Sequence, residues 1–161
     1  MMRTLIGGVG YRWQRDASFG VVASDAMAAL EWPGGVTVAD LGYGAIYVAQ
    51  DLADAQPPYD RLVLVAGVER GRDPGRLYHH EYRPQPASDD EVLGRLREAG
   101  AGVIDVDHLL VIAHQMRALP ADVLVVELEP ADASPGIELS DAASRALPQA
   151  IDLIRSYTCR S

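Results

Sequence analysis

The amino-acid sequence predicts an α/β fold, a three-layer α/β/α sandwich with a mostly parallel β-sheet between two layers of helices. Two observations lead to this prediction. Segments with the pattern of strands and segments with the pattern of helices alternate along the chain, which is typical of βαβ units. The clearest strand, RLVLVAGV from Arg61 to Val68, is a continuous apolar run, as expected of a strand whose two faces are both covered by helices.

In the first half of the chain, the predicted elements alternate strictly between strand and helix. Thr4 to Gly8 is a short apolar strand, and the helix from Ser18 to Leu30 has a serine at the N-cap position. Val36 to Asp40 is the second strand. Apolar residues recur with helical spacing from Ala45 to Ala55, and the Pro-Pro pair that follows ends this helix. The strand from Arg61 to Val68 comes next.

The second half contains two strands and three helices. A GRDPG turn precedes a short strand near Arg76 to Glu81. The sequence SDDE has the spacing of a capping box and opens a helix from Ser88 to about Glu98. A longer helix, Val106 to Leu119, ends at a proline, and Asp122 to Leu128 is the last strand. Ser140 to Arg155 is the closing helix, in which an internal proline predicts a kink.

The composition fits one domain, residues 1–161, without a membrane-spanning segment. Of the residues, 48% are hydrophobic and 23% are charged, and the formal net charge of -9 argues against binding to a nucleic-acid backbone. The 14 basic residues are all arginine, which excludes a lysine nucleophile. The single cysteine, Cys159, cannot form an internal disulfide. The N-terminus has the pattern of neither a signal peptide nor a membrane span, so we expect a cytoplasmic protein.

Ligands of parallel α/β sheets bind beyond the carboxyl ends of the strands, so we expect any functional site in the loops that follow them. The first such loop begins at Gly8 and Gly10, but the dinucleotide-binding fingerprint needs a third glycine where Trp13 stands. Four further residues separate Trp13 from the predicted helix, whose N-terminus therefore cannot face a pyrophosphate. A nucleotide site is not expected.

The histidines supply at most a fragment of a metal site. His79 and His80 are adjacent on a predicted strand, so their side chains point to opposite faces. His108 and His114 are six residues apart on one predicted helix and lie on different sides of it. Asp105 and His108 could share a face, which would supply two ligands at most. We expect each histidine to be a surface residue or a hydrogen-bonded polar residue.

Five stretches of the chain, in the same order, resemble motifs of one protein family. The family patterns are G-x-G-N-x-x-x-x-D-E-x-x-G, D-x-G-T-x-G, I-I-V-D-A followed by a P-G turn, D-L-L-x-x-A closing in L-P, and P-x-x-x-x-x-G-x-x-L-S. The matching stretches are Gly8 to Gly20, Asp40 to Ala45, Leu64 to Gly75, His108 to Pro120 and Pro130 to Ser140. On these motifs, the chain is identified as a divergent member of the hydrogenase maturation endopeptidases.

The resemblance implies a function as well as this fold. Proteins of the family dock on the immature large subunit of a nickel–iron hydrogenase after nickel insertion and remove a C-terminal extension, and a Glu, an Asp and a His bind the metal. At these positions this chain has Ala17, Ala66 and Gly102, whose side chains offer no lone pair. The family's loop asparagine and second-strand threonine are replaced by Tyr11 and Tyr43. The resemblance therefore implies a cleft that keeps its frame without the metal ligands, and we expect this chain to bind no metal or cofactor.

The first functional hypothesis is a non-catalytic relative, a pseudo-peptidase that acts as a docking factor or chaperone for the hydrogenase large subunit. Trp and Arg are favoured anchors of interfaces, and Arg12, Trp13 and Arg15 suit this role, although Trp13 could instead pack the loop onto the domain. The residues expected to line the cleft or contact the partner are Tyr11, Arg12, Trp13, Asp16, Asp40, Gly42 and Tyr43.

Two further hypotheses stay open at the level of sequence. In one, the chain is an active metal-dependent endopeptidase whose ligands have moved. The candidates for moved ligands are Asp16, Asp40, His79 or His80, Asp105 and His108. In the other, the chain is a small-molecule binding module on the same fold, with Tyr11 and Tyr43 lining a cleft for a flat ligand. None of the hypotheses involves nucleic acid or a membrane, and all leave the oligomeric state open.

Overall fold

A five-stranded sheet lies between two layers of helices, which confirms the predicted α/β/α sandwich. The computed structural model describes residues 1–160, so Ser161, the last residue of the predicted domain, lies outside the described part. The strands are β1 (Thr4–Val9), β2 (Val36–Asp40), β3 (Arg61–Gly67), β4 (Leu77–Glu81) and β5 (Asp122–Leu128), in the order β2-β1-β3-β5-β4 across the sheet. All strands are parallel except β4, which pairs antiparallel with β5 at one edge.

Helices cover both faces of the sheet. They are α1 (Phe19–Ala28), α2 (Ala45–Asp54), α3 (Asp89–Gly100), α4 (Val106–Gln115) and α5 (Asp141–Thr158). On one face, α1 and α5 pack Phe19 and Ile154 into a core that includes Val63 of β3. On the other face, α2, α3 and α4 form a second core, in which Leu109 packs with Leu64 of β3. Within residues 1–160, none of these helices combines the length and apolar composition needed to cross a bilayer.

The register of the central strands brings distant parts of the chain together at the carboxyl edge of the sheet. Val9 of β1 lies beside Ala66 of β3, and Ala66 lies beside Glu127 of β5. β1 is buried along its whole length, and β3 is buried up to Gly67. Because helices cover both faces, these strands read as nearly continuous apolar runs. The loops that follow β1, β3 and β5 therefore meet at one edge, where the sequence predicted any site to lie.

The first helix begins at Phe19, with Ser18 at the N-cap position as predicted, but the Ser18 side chain does not cap it. A short 3-10 turn, Arg15–Ser18, precedes α1, and the Ser18 hydroxyl accepts a hydrogen bond from the backbone N–H of Gln14 at 2.9 Å. The Ser18 side chain accepts no hydrogen bond from the first turn of α1. The predicted position of the cap is therefore right, whereas its side-chain hydrogen bond is not made, because the Ser18 hydroxyl closes the preceding loop instead.

The two largest differences between predicted and observed helix ends are in α4 and α5. α4 ends at Gln115 rather than Leu119, because Arg117 adopts a φ of 56°, in the left-handed region that a right-handed helix cannot include. α5 contains Pro148 and continues to Thr158, so the last helix is longer than its pattern predicted. Neither difference reaches the carboxyl edge of the sheet.

Candidate functional site

A cavity of about 280 Å³ opens at the carboxyl ends of β1 and β3, and we call it the edge cavity. Its walls come from the end of β1, from residues 10–18 after it (the first loop), from the loop after β3 and from the segment that enters α4. Among its lining residues are Val9, Tyr11, Ala17, Ala66, Glu69 and Asp105. Ala17 and Ala66, two of the three positions at which the resemblance implies missing metal ligands, therefore line one cavity.

The close approach of the first loop to the end of β3 brings Ala17 and Ala66 together. Gly67 makes this approach possible, since a Cβ atom there would lie 2.1 Å from the backbone oxygen of Asp16 and 3.1 Å from the Cα atom of Ala17. Any side chain at position 67 would push the first loop away. The two alanines present methyl groups, which have no lone pair for a metal ion or a proton.

Tyr11 joins the first loop to the segment before α4. Its hydroxyl donates a hydrogen bond to the carbonyl oxygen of Gly102 at 3.2 Å and accepts one from the backbone N–H of Ile104 at 2.8 Å. Gly102, the third substituted position, has a φ of 95°, in the left-handed region that favours glycine. A Cβ atom at Gly102 would meet open space, so backbone conformation rather than crowding selects glycine there. Hydrogen bonds of one tyrosine thus connect two segments that carry metal ligands in the resemblance.

Asp16 is an anchor between the first loop and residues 130–140. Its side chain is fully buried. The carboxylate accepts hydrogen bonds from the backbone N–H groups of Ala131, Asp132 and Ser140 at 2.8 to 3.1 Å, and from the Ser140 hydroxyl at 2.7 Å. Oδ2 accepts three of these hydrogen bonds and Oδ1 accepts one. The side chain is buried beneath these donors and does not line the edge cavity, so Asp16 is not placed to act as a moved metal ligand.

Arg12 connects two other predicted site residues, Asp40 and Gly42, to α1. Its guanidinium donates to both carboxylate oxygens of Asp25 at 2.7 and 3.0 Å, and to Asp40 at 2.8 Å. The hydrogen bond from Arg12, with its positive charge, lowers the pKa of Asp25 although burial opposes the shift. Asp40 also accepts the backbone N–H of Gly42 at 2.7 Å. Arg12, Asp40 and Gly42 are therefore brought together, but two carboxylates already neutralise the guanidinium charge.

Tyr43 faces a different part of the molecule from Tyr11. Its hydroxyl donates a hydrogen bond to Asp51 of α2, and burial together with this hydrogen bond raises the pKa of Tyr43. Tyr43 lines a cavity between α2 and β2 and another between α2 and the end of α3, whereas Tyr11 lines the edge cavity. The two tyrosines therefore do not form the shared cleft that the small-molecule hypothesis expects.

Asp105 and His108 lie together as predicted, at the start of α4. The Asp105 carboxylate caps the helix by accepting the backbone N–H of His108 at 2.9 Å. The buried imidazole has its Nδ1 atom 3.1 Å from Asp105 and 3.1 Å from Arg95, while its Nε2 atom is hydrogen-bonded to Glu98 of α3. Because the two carboxylates contact opposite nitrogens of the ring, they cannot converge with it on one ion. His108 is a hydrogen-bonded polar residue between α3 and α4.

The remaining candidates for moved ligands are dispersed. His79 and His80 lie on the exposed edge strand β4, and Asp40 at the end of β2 contacts Arg12. Within residues 1–160, no three His, Cys, Asp or Glu side chains are arranged to hold a metal ion. The residues around the edge cavity therefore do not fit a bound divalent ion.

Two buried glutamates beside the edge cavity escaped the sequence analysis. Glu127 and Glu129, at the end of β5, are 1% and 4% exposed. Nε of Arg70 donates to Glu127 at 2.7 Å, and Nε of Arg72 donates to Glu129 at 2.9 Å. Arg70 also donates to both carboxylate oxygens of Asp107 of α4, at 2.9 and 3.0 Å. The signal that could have revealed part of this network is the spacing Glu-x-Glu at the end of β5, since residues two apart in an extended segment share a face.

The charges of this network are stabilised by hydrogen bonds. Burial by itself would raise the pKa of Glu129, but hydrogen bonds from the Arg72 side chain and from the backbone N–H groups of Arg70 and Arg72 outweigh it and lower the pKa. Hydrogen bonds to Asp107 and Glu127 raise the pKa of Arg70. The network therefore consists of ion pairs that tie the loop after β3 to β5 and α4.

Trp13 lies on the surface instead of packing the first loop onto the domain. Its side chain is 68% exposed, and its φ of 62° lies in the left-handed region, as does that of Arg15 at 46°. Such a conformation costs a bulky residue roughly 1–3 kcal/mol and persists only where the surroundings impose it. Here the Trp13 carbonyl accepts the N–H of Gly136 at 2.9 Å, and the N–H of Arg15 donates to the Gly136 carbonyl at 3.2 Å.

Several solved structures that are similar to this chain are hydrogenase maturation proteases. The hydrogenase 2 maturation peptidase from a Thaumarchaeota archaeon is 26% identical with a TM-score of 0.69, and the alignment covers 98% of each chain. The hydrogenase-maturating endopeptidase HybD from E. coli is 19% identical with a TM-score of 0.71, over 97% of this chain and 91% of that one. The nickel–iron hydrogenase maturation protease HybD from Thermococcus kodakarensis is 20% identical with a TM-score of 0.66, over 97% and 99%.

Sequence comparison agrees with the fold. No curated protein sequence matches this chain significantly. The family model described as hydrogenase maturation protease (HycI) matches residues 21–157, which is most of the chain. The match begins within α1, so it depends on β2 to β5, the helices and the later loops. The chain belongs to the hydrogenase maturation protease family.

Proposed function

We propose that this chain recognises a hydrogenase large subunit as a docking and assembly factor and does not cleave it. Its family supports this class of partner. The observation that carries the non-catalytic part is the edge cavity, where Ala17 and Ala66 present methyl groups at positions that the resemblance assigns to metal-binding carboxylates. Without those side chains, the cavity cannot sense nickel in the large subunit by ligating it.

The contacts that hold the first loop are intact, which indicates that only the metal-ligating side chains have been replaced. A Cβ atom on Gly20 would lie 2.2 Å from the backbone oxygen of Val65, so this glycine lets α1 lie directly on the sheet. Gly67 and the buried carboxylate of Asp16 hold the loop from two other sides. A site that had decayed as a whole would lose these contacts too. The retained frame favours a surface that still binds a partner.

Tyr11, which also lines the edge cavity, likewise favours a surface that still binds a partner. Its hydrogen bonds to Gly102 and Ile104 link the first loop to the segment before α4. These bonds are internal to the chain and need no ion. The loops around the edge cavity are thus held in place before any partner arrives, which lowers the entropic cost of docking.

Native mass spectrometry of the protein with the nickel-loaded large subunit encoded in its own operon tests the proposal. We expect a stable complex in which both chains keep their masses. A decrease in the mass of the large subunit would show cleavage and overturn the non-catalytic part of the proposal. Two intact chains that form no complex would overturn the docking part.

Restoring the family's ligands provides an independent test. We expect the variant Ala17→Glu/Ala66→Asp/Gly102→His to bind nickel in isothermal titration calorimetry, and the wild type to show no binding. Because position 102 has a φ of 95°, histidine there is strained. A second variant that adds Tyr11→Asn frees this segment and should bind more tightly. The double variant Ala17→Glu/Ala66→Asp is the matched control for the histidine. Nickel binding by the wild type would instead support an active endopeptidase with moved ligands.

A further inference from the structure

Trp13 and Ile137 are exposed apolar residues on the two segments that meet at the carboxyl edge, the first loop and residues 130–140. Their side chains are 68% and 79% exposed, more than any other large hydrophobic residue described in residues 1–160 except Met1. The two residues flank a parallel backbone bridge between Gln14 and Gly136. Single exposed apolar residues are common on protein surfaces, but two large ones on segments joined by one bridge favour a contact surface.

The backbone under this pair is fixed from several directions. The carbonyl of Trp13 and the N–H of Arg15 both hydrogen-bond to Gly136. Arg15 lies over Gly136, where a Cβ atom would be 2.5 Å from the guanidinium carbon. Asp16 ties the same two segments together through four hydrogen bonds. A side chain presented from a rigid backbone loses little entropy on binding, which suits an anchor.

The charge around the pair selects the kind of partner. The loops at the carboxyl edge, residues 10–18, 40–44, 67–76, 101–107 and 127–140, contain ten carboxylates and five arginines. Each of those arginines forms an ion pair with a carboxylate. The edge is therefore negative, and two copies of this chain meeting through it would repel each other. A partner with exposed Lys and Arg would be attracted to it.

We propose that Trp13 and Ile137 are the anchor through which this chain docks, and that the partner's contact surface is an apolar recess bordered by Lys and Arg. This inference rests on the proposed function, so the partner is the hydrogenase large subunit. Trp13 and Ile137 enter the recess, while the carboxylates around them pair with its basic border. Neither anchor residue lines the edge cavity, so docking through them does not require the partner to enter it.

The affinity of the nickel-loaded large subunit for single and double variants tests the anchor. We expect Trp13→Ala/Ile137→Ala to bind at least tenfold more weakly than the wild type, because central aromatic anchors carry most of the energy of an interface. The matched control is Leu93→Ala/Met116→Ala, which removes side chains that are 49% and 40% exposed elsewhere on the surface. This control should bind like the wild type. Raising the salt from 50 to 500 mM should slow wild-type association at least threefold, since screening weakens the attraction of opposite charges.

Tryptophan fluorescence reports directly on the anchor. The chain has two tryptophans, so in Trp32→Phe the emission comes from Trp13 alone. We expect this emission to shift to shorter wavelength when the large subunit binds. If the wild type binds and the double variant binds equally well, the anchor is wrong and the proposed function stands. If the wild type does not bind, both fall. If Trp13 becomes buried in a dimer without the large subunit, a second copy is the occupant and the inference is overturned.

Discussion

Replacing Asp16 by alanine should destabilise the protein by about 3–4 kcal/mol. The carboxylate is fully buried and accepts four hydrogen bonds, three of them from backbone N–H groups of residues 131, 132 and 140. A donor left without its acceptor costs about 1–3 kcal/mol. Ala131 and Asp132 are exposed residues, so water can partly replace the acceptor for their N–H groups. We therefore count about 1 kcal/mol for each N–H group and up to about 1 kcal/mol for the Ser140 hydroxyl.

Urea unfolding followed by circular dichroism measures this loss. With a slope of about 2 kcal/mol per molar urea, the midpoint of Asp16→Ala should fall by about 1.5–2 M. The matched control is Asp73→Ala, which removes a carboxylate that is 77% exposed and contacts only the surface residue Arg76 at 3.3 Å. Exposed pairs of this kind contribute about 0–1 kcal/mol. A loss below about 1 kcal/mol for Asp16→Ala would refute the view that this residue holds the two loops together.

Three further predictions concern the cavity wall and the buried ion pairs. Tyr11→Phe should lower the stability by about 1 kcal/mol and accelerate hydrogen exchange of the Ile104 amide, which loses its acceptor; unchanged exchange would contradict the link. Arg70→Met should destabilise by about 3–5 kcal/mol, because it leaves Glu127 buried without its main partner, and the double variant with Glu127→Gln should recover part of the loss. Glu129 has a folded pKa below its ordinary value of 4.5, so its contribution is present above that pH and disappears as the pH falls through the lowered pKa. The stability difference between wild type and Glu129→Gln should therefore shrink on acidification, and a difference that stays constant from pH 7 to pH 3 would contradict it.

The order and type of the main elements could be predicted because their signals are local. The apolar run from Arg61 is buried in β3, as its composition indicated. Ser88 caps α3 as its pattern indicated, with its hydroxyl accepting the N–H of Glu91 at 3.2 Å. Each of these signals depends on residues within a few positions, so no knowledge of distant neighbours is needed.

The side-chain arrangement at the carboxyl edge could not be predicted in the same way. From the sequence, Trp13 could either pack onto the domain or be exposed to solvent. The backbone hydrogen bonds to Gly136, which fix the loop, leave its side chain exposed. Ser18 has the pattern of a helix cap but closes the loop before the helix. Glu127 has the pattern of a strand residue, and its buried ion pair depends on Arg70, 57 residues away along the chain.

By itself, the sequence determined the sandwich of strands and helices, the resemblance to hydrogenase maturation endopeptidases, and the absence of ligating side chains at Ala17, Ala66 and Gly102. Only the tertiary structure decided that Asp16 anchors two loops to each other, that Tyr11 links two loops, and that Trp13 and Ile137 are exposed on either side of the Gln14–Gly136 bridge. The reason is physical: periodicity and capping depend on neighbours in the chain, whereas a hydrogen bond such as that from Ala131 to Asp16 joins residues 115 positions apart and exists only once the sheet has brought their loops to one edge.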